Sequence, residues 1–184
     1  MASTGWNAPV YPLSSAAGSA VTAAALAAAY SPAPVIGGGQ LNPGTRLIFE
    51  ADLEMTSSSA TPTLTLGFYI GAVGGAIGSA TLIAATPAQA MSASAAAWPI
   101  KLRFRGRVQS LSPTAAVVHG TGELLYGTSL TAWTCSPFPV TAAARTVSTL
   151  NTSQNNQLDV GVTLSSTTGS PSVTCTDFHA VTRG

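Results

Sequence analysis

The side chains able to do chemistry in this chain are few. Cys175, Asp177 and His179 alternate along SVTCTDFHAVT (172–182). On a regular strand they would share one face and could ligate a metal ion. One strand supplies at most three ligands, and no second Cys or His cluster completes the shell. The expectation is that Cys175 packs in the core while the polar pair sits at an exposed strand end. His119, in AVVHGTG, has no Asp or Glu close in sequence and reads as a strand-surface residue, not a base. Glu50, Asp52 and Glu54 also alternate, and three acids in a row suggest a divalent cation. Alternate residues of a strand stand about 6–7 Å apart, however, and calcium takes about six to eight oxygens, mostly from loops that wrap it. A solvated or charge-paired face is the better reading.

The remaining set is basic. In AWPIKLRFRGRV (97–108), Trp98, Ile100, Leu102, Phe104 and Val108 fall on one alternation and Lys101, Arg103, Arg105 and Arg107 on the other. Four of the seven basic residues thus share one strand face. Nucleic acid is not the expected partner. A stacking platform needs aromatics beside the basic groups, whereas Phe104 points the other way, and the net charge is only +1. The glycine-rich GAVGGAIG (71–78) resembles a phosphate loop in composition alone. It joins two strand patterns without a Lys or a following helix and reads as a hairpin.

No nucleophile elbow, P-loop, dinucleotide fingerprint or H-E-x-x-H motif is present, so no catalytic set and no cofactor are expected. Charged residues make up 7% of the 184, against about 25% in ordinary domains. Few repulsive charges suit a chain that lives in an assembly. Residues 55–100 carry no formal charge, but Gly, Pro, Ser and Thr interrupt them, so no membrane span is expected. The Ala-rich run 20–30 follows no Lys or Arg, which argues against a secretory signal. Cys135 and Cys175 are either bridged or, more simply, two buried thiols.

These groups are positioned by strands. Residues 1–44 hold five prolines and no charge and read as an arm, with a helix or an extended segment at 20–29 equally open. From 45 the period is two. Leu47, Phe49, Ala51, Leu53 and Met55 face one way, as do Leu64, Leu66, Phe68 and Ile70. Strands follow at 80–85, 97–108, 115–127, 129–135, 157–165 and 172–182. Eight strands with no helix after 45 predict an all-β fold. It is a single antiparallel β-sandwich over 45–184, of jelly-roll type, behind an extended N-terminal arm over 1–44; an immunoglobulin-like sandwich is the alternative.

In a jelly roll the acidic strand (46–54) and the basic strand (101–107) belong to opposite sheets. Two copies could then set Lys101, Arg103, Arg105 and Arg107 of one against Glu50, Asp52 and Glu54 of the next, and a threefold ring closes such a contact. Contact between copies is the preferred reading, and pairing of the rows within one chain is the alternative left open.

Three segments carry a resemblance: NPGTRLIFEADLEM (42–55), TPTLTLGFYIGAVGG (61–75) and AWPIKLRFRGRVQS (97–110). In order and spacing they resemble small jelly-roll structural proteins of tailed bacteriophages, over roughly residues 30–127. The resemblance implies a virion protein without enzymatic activity, assembled in the host cytoplasm, as head decoration, minor capsid, or tail or fibre module. A decoration protein would trimerise and cement the head shell, with itself and the major capsid protein as partners. Trp6, Val10, Tyr11 and Leu13 of the arm would anchor it on the shell. A tail-fibre or receptor-binding head and a carbohydrate-binding module are the alternatives. The last would need exposed aromatics on one face, for which Trp133, Tyr69 and Trp6 are scattered candidates.

Overall fold

A computed structural model of the chain describes residues 9–10, 20–23, 25–29, 33–112, 115–127, 132–139, 146–147 and 151–184. Alternating sequence becomes alternating burial. In β4 (Arg46–Thr56) every second residue from Leu47 to Met55 is buried, and β8 (Trp98–Ser112) repeats the pattern from Ile100 to Phe104. These two strands, β13 (Ser172–Arg183), β9 (Ala115–Gly127), β10 (Trp133–Phe138) and the short β1 (Pro9–Val10) form one sheet in the order β1-β13-β4-β8-β9-β10, with β11 (Thr146–Val147) also paired to β9. The second sheet runs β2-β12-β5-β6, from Ala27–Ala28, Asn156–Leu164, Thr63–Ala72 and Thr81–Ala85; β3 (Val35–Ile36) joins β12, and β7 (Gln89–Ala90) joins β5. All described pairings are antiparallel.

The two sheets face each other across an apolar core. Phe68 of the second sheet meets Phe49, Phe104 and Phe178 of the first at centroid distances of 5.5, 6.4 and 5.8 Å, within the range at which aromatic pairs attract. Such large rings need room. Phe104 lies over Gly106 and Gly120, where a Cβ at 106 would come within 2.7 Å of the ring.

The sandwich is as expected, but the strand order departs from a jelly roll. That fold sends successive strands alternately to two sheets, whereas β8, β9 and β10 run as a meander within one. The strand expected at 129–135 is found at Trp133–Phe138, with 128–131 outside the described residues. The segment read as an arm is tied to the sandwich where it is described. Pro9 and Val10 pair with Val181 and Ala180, Val21 bridges Val173, Ala27–Ala28 and Val35–Ile36 pair with β12, and Ala29 donates to the Val160 carbonyl at 2.8 Å. Of the two options at 20–29 the extended one holds among the described residues. No polar stripe marks a solvent-facing side for a helix, and the Ala-rich backbone instead completes a sheet edge.

A charged outer face as the candidate functional site

The outward residues of β4, β8, β9 and β13 carry nearly all the formal charge. Of the seven Lys and Arg and six Asp and Glu residues, all but Arg145 and Asp159 project from this one face. Arg145 lies outside the described residues.

The acidic and basic strands were expected in opposite sheets; they are neighbours in one. The β5–β6 hairpin is accommodated in the second sheet, so the chain returns from it to lay β8 antiparallel beside β4. Asp52 stands opposite Lys101 and Glu50 opposite Arg103. Lys101 Nζ lies 3.1 Å from Asp52 Oδ1, and Arg103 Nε 3.8 Å from Glu50 Oε1. Arg103 Nη1 reaches Glu123 on its other flank at 3.7 Å. Sequence reading did not single out Glu123, although its alternation with His119 was a signal that could have found it. These side chains are 41–49% exposed, so each pair contributes no more than about 0.2–1 kcal/mol. Their effect is on register more than on stability.

Of the two rows, Glu54, Arg105 and Arg107 have no ionic partner among the described residues. Arg105 stands between Ile48 and Thr121. Arg107 is set differently. Arg183, Arg46, Arg107 and His119 are consecutive cross-strand partners on β13, β4, β8 and β9, all four exposed. Arg46 and Arg183 were not singled out in the sequence, because only the strand order brings them to Arg107. Beside this row the Asn42–Thr45 turn is clamped to β8, with Gly44 donating to Val108 at 2.8 Å and Val108 to Thr45 at 2.9 Å. Gly44 takes φ +97°, which only glycine adopts freely. His119 sits at the strand surface as expected, with its Nδ1 3.2 Å from Gln109 Nε2.

Cys175, Asp177 and His179 do not share a face. A bulge at Thr176 shifts the register between Cys175 and Asp177, so that Cys175 and Phe178 are buried and Asp177 is exposed. The Cys175 thiol donates to the Asp177 carbonyl at 3.2 Å. Burial first, then the nearby Asp177 and Asp52 carboxylates, push this thiol up to about 12. It stays protonated at neutral pH, unlike a metal-bound thiolate. Among the described residues no three His, Cys, Asp or Glu side chains are placed to hold a metal. Cys135 was expected to be buried; it is exposed on the outward side of edge strand β10, and both thiols are free.

Asp159 stands apart, buried on β12 in the second sheet. Gln157 Nε2 donates to both its oxygens at 3.0 and 3.1 Å, while the Gly74 N–H donates to Gln157 Oε1 at 2.9 Å. The glycine-rich hairpin is thereby fastened to the sheet. Burial raises the Asp159 carboxyl above its ordinary range, opposed by the Gln157 hydrogen bond, and burial raises Tyr69 opposite it. Tyr69 and the exposed Trp133 belong to different sheets and form no common platform. Trp6, Tyr11 and Leu13, and the side chain of Val10, lie outside the described residues. No described helix is long and apolar enough to cross a membrane.

No family model matches the sequence, and no curated protein is significantly similar to it. Among solved structures, a chain from the structure of infectious bursal disease virus (Gt strain) aligns over 95% of this chain and 33% of its own, at 14% identity and a TM-score of 0.30. This chain therefore spans about a third of that one's length. The crystal structure of the polysaccharide lyase family 18 protein aly-SJ02 r-CATD aligns over 76% of this chain and 72% of its own, at 9% identity and a TM-score of 0.24. At such scores neither likeness bears on function.

Proposed function

We propose that the protein is a structural subunit of a bacteriophage virion, a decoration protein that trimerises on the head shell, stabilises it and converts no substrate. The observation that carries this reading is the segregation of charge. One outer face of the sandwich holds nearly all of it, while the outward residues of β5 and β12 in the second sheet run to Thr, Gly, Gln and Tyr with the buried Asp159 as the one charged group. A two-faced slab of this kind keeps one side hydrated and offers the other to a neighbour without desolvating ions. The N-terminal segment crosses the second sheet at β2 and β3, and Pro9–Val10 pairs with β13 at the edge of the charged sheet, so an arm flanking that strand would leave from the rim of the sandwich toward a shell surface. Trp6, Tyr11 and Leu13 supply its apolar anchors.

The ring contact between copies draws on fewer charges than the two rows suggested, because Lys101, Arg103, Glu50 and Asp52 are partnered within the chain. Glu54 and Arg105 remain to orient neighbouring copies, and apolar contact supplies the affinity. Binding the assembled shell in preference to its separated subunits stabilises the shell by mass action.

Quantitative mass spectrometry of purified particles tests the reading. Several hundred copies per particle are expected, and particles stripped of the protein should lose their contents at a lower temperature. A few to a few dozen copies would move the protein to the tail. Light scattering that returns a monomer on the shell-free protein and on protein released intact from particles would remove the trimer.

A further inference from the structure

Several opposed positions on the charged face pair opposite charges, although Asp177 stands opposite Asp52 and Arg105 lies between Ile48 and Thr121. Lys101 is opposed by Asp52, and Arg103 is flanked by Glu50 and Glu123. At the far end Arg183, Arg46 and Arg107 stand directly opposite one another on three adjacent strands, with no carboxylate within 4.0 Å of any of them among the described residues. Like charges in directly opposed positions destabilise a sheet. The three guanidinium groups also border a cleft of about 450 Å³ that Gly44 and Gly184 complete. Any side chain at 44 would sit within van der Waals reach of the Arg107 guanidinium, its Cβ at 3.6 Å from Nη2. The turn thus leaves the cleft open where a larger residue would fill it.

We propose that this cleft is a binding site for a phosphate group. Three guanidinium groups carry three positive charges and many N–H donors in planar forks, which match the oxygens of a tetrahedral anion two at a time. Charge balance selects the class. The Gly184 α-carboxylate at the cleft offsets one of the three charges, and a phosphate, at about −1.5 to −2, meets the remainder. The cleft is large enough for a phosphate ester as well as for the free ion. The occupant relieves the repulsion within the row, so binding and stability are coupled.

Sodium pyrophosphate and sodium phosphate, each compared with sodium chloride at equal ionic strength, test the site by calorimetric titration and thermal melts of the full chain. Pyrophosphate should raise the melting temperature by about 2–4 °C beyond chloride at saturating concentration. Arg107→Gln and Arg183→Gln should each weaken pyrophosphate at least tenfold while melting no lower than wild type in dilute chloride, because each removes a repulsion. Arg103→Gln, on the same face, should keep the full response. In the wild-type chain the amide shifts perturbed by pyrophosphate should centre on residues 43–46, 107 and 182–184. An equal response in wild type and both cleft variants would show general anion stabilisation and overturn the site, as would perturbed amides that map elsewhere. A nucleotide 5′-phosphate that binds more tightly than free phosphate identifies an ester as the ligand, and the reverse identifies the free ion. An oligonucleotide whose affinity grows with length while pyrophosphate fails to bind would replace the site by an extended nucleic-acid surface.

Discussion

At the scale of single residues the most informative group is Asp159, because it is charged chemistry placed where water is scarce. Its carboxyl is raised by burial, so the folded chain holds a proton at pH values where the unfolded chain has released it. The folded state binds more protons in that interval, and stability therefore falls as pH rises through it. Asp159→Asn removes this loss and keeps one oxygen for the Gln157 amide. The variant should melt above wild type at pH 7, and the gap should shrink on acidification to about pH 4, near the unperturbed carboxylate value. A gap independent of pH would mean that Asp159 is ionised without penalty. The sequence placed a strand at 157–165, which contains Asp159, but could not show that the outward side of that strand is covered at this residue. The same limit applies to Cys135, whose exposure follows from β10 being at a sheet edge.

At the scale of elements, hydrophobic alternation located the long strands to within a few residues, since a strand with one buried face must alternate. It failed where the ladder itself is irregular. The extra residue at Thr176, whose Oγ1 donates to the Asp52 carbonyl at 3.0 Å, turns Asp177 outward and Phe178 inward. Nothing in the composition of SVTCTDFHAVT marks a bulge. Because Thr176 is the residue in excess, its deletion should restore a regular ladder between β13 and β4, with unfolding free energy within about 1 kcal/mol of wild type. Deleting His179 instead inverts Ala180, Val181 and Thr182 relative to the core and should cost more than about 3 kcal/mol, the scale of a lost core side chain. Denaturant melts of the two deletions separate these outcomes. Similar losses in both would show that the bulge is itself required.

At the scale of the whole molecule the N-terminal segment, where it is described, is tied to both sheets. An arm that served only to bind a partner would be removable without harm to the sandwich. The structure makes Val21 and Ala29 buried members of the core and lays β2 and β3 along β12. Deleting residues 2–30 would strip part of this cover and leave unpaired backbone at the β12 edge, an invitation to association. That truncation should lower the melting temperature and raise the apparent mass in light scattering, whereas deleting residues 2–8 should do neither. If both truncations behave as wild type, the contacts of Val21 and Ala29 contribute little. Shell binding by an arm is therefore best tested by Trp6→Ala, Tyr11→Ala and Leu13→Ala together in the full chain, which leaves β2 and β3 in place.

Period and composition alone were enough to read a β-sandwich, the inward faces of its long regular strands, and a scarce charge gathered on strand faces. Those are consequences of period and composition, which are local. Only the tertiary structure decided that the acidic and basic strands are neighbours, that Glu123 joins their network, and that Arg46 and Arg183 fall in line with Arg107. Which strand lies beside which depends on how two sheets share a single core, and residues more than a hundred positions apart meet only when that arrangement is complete.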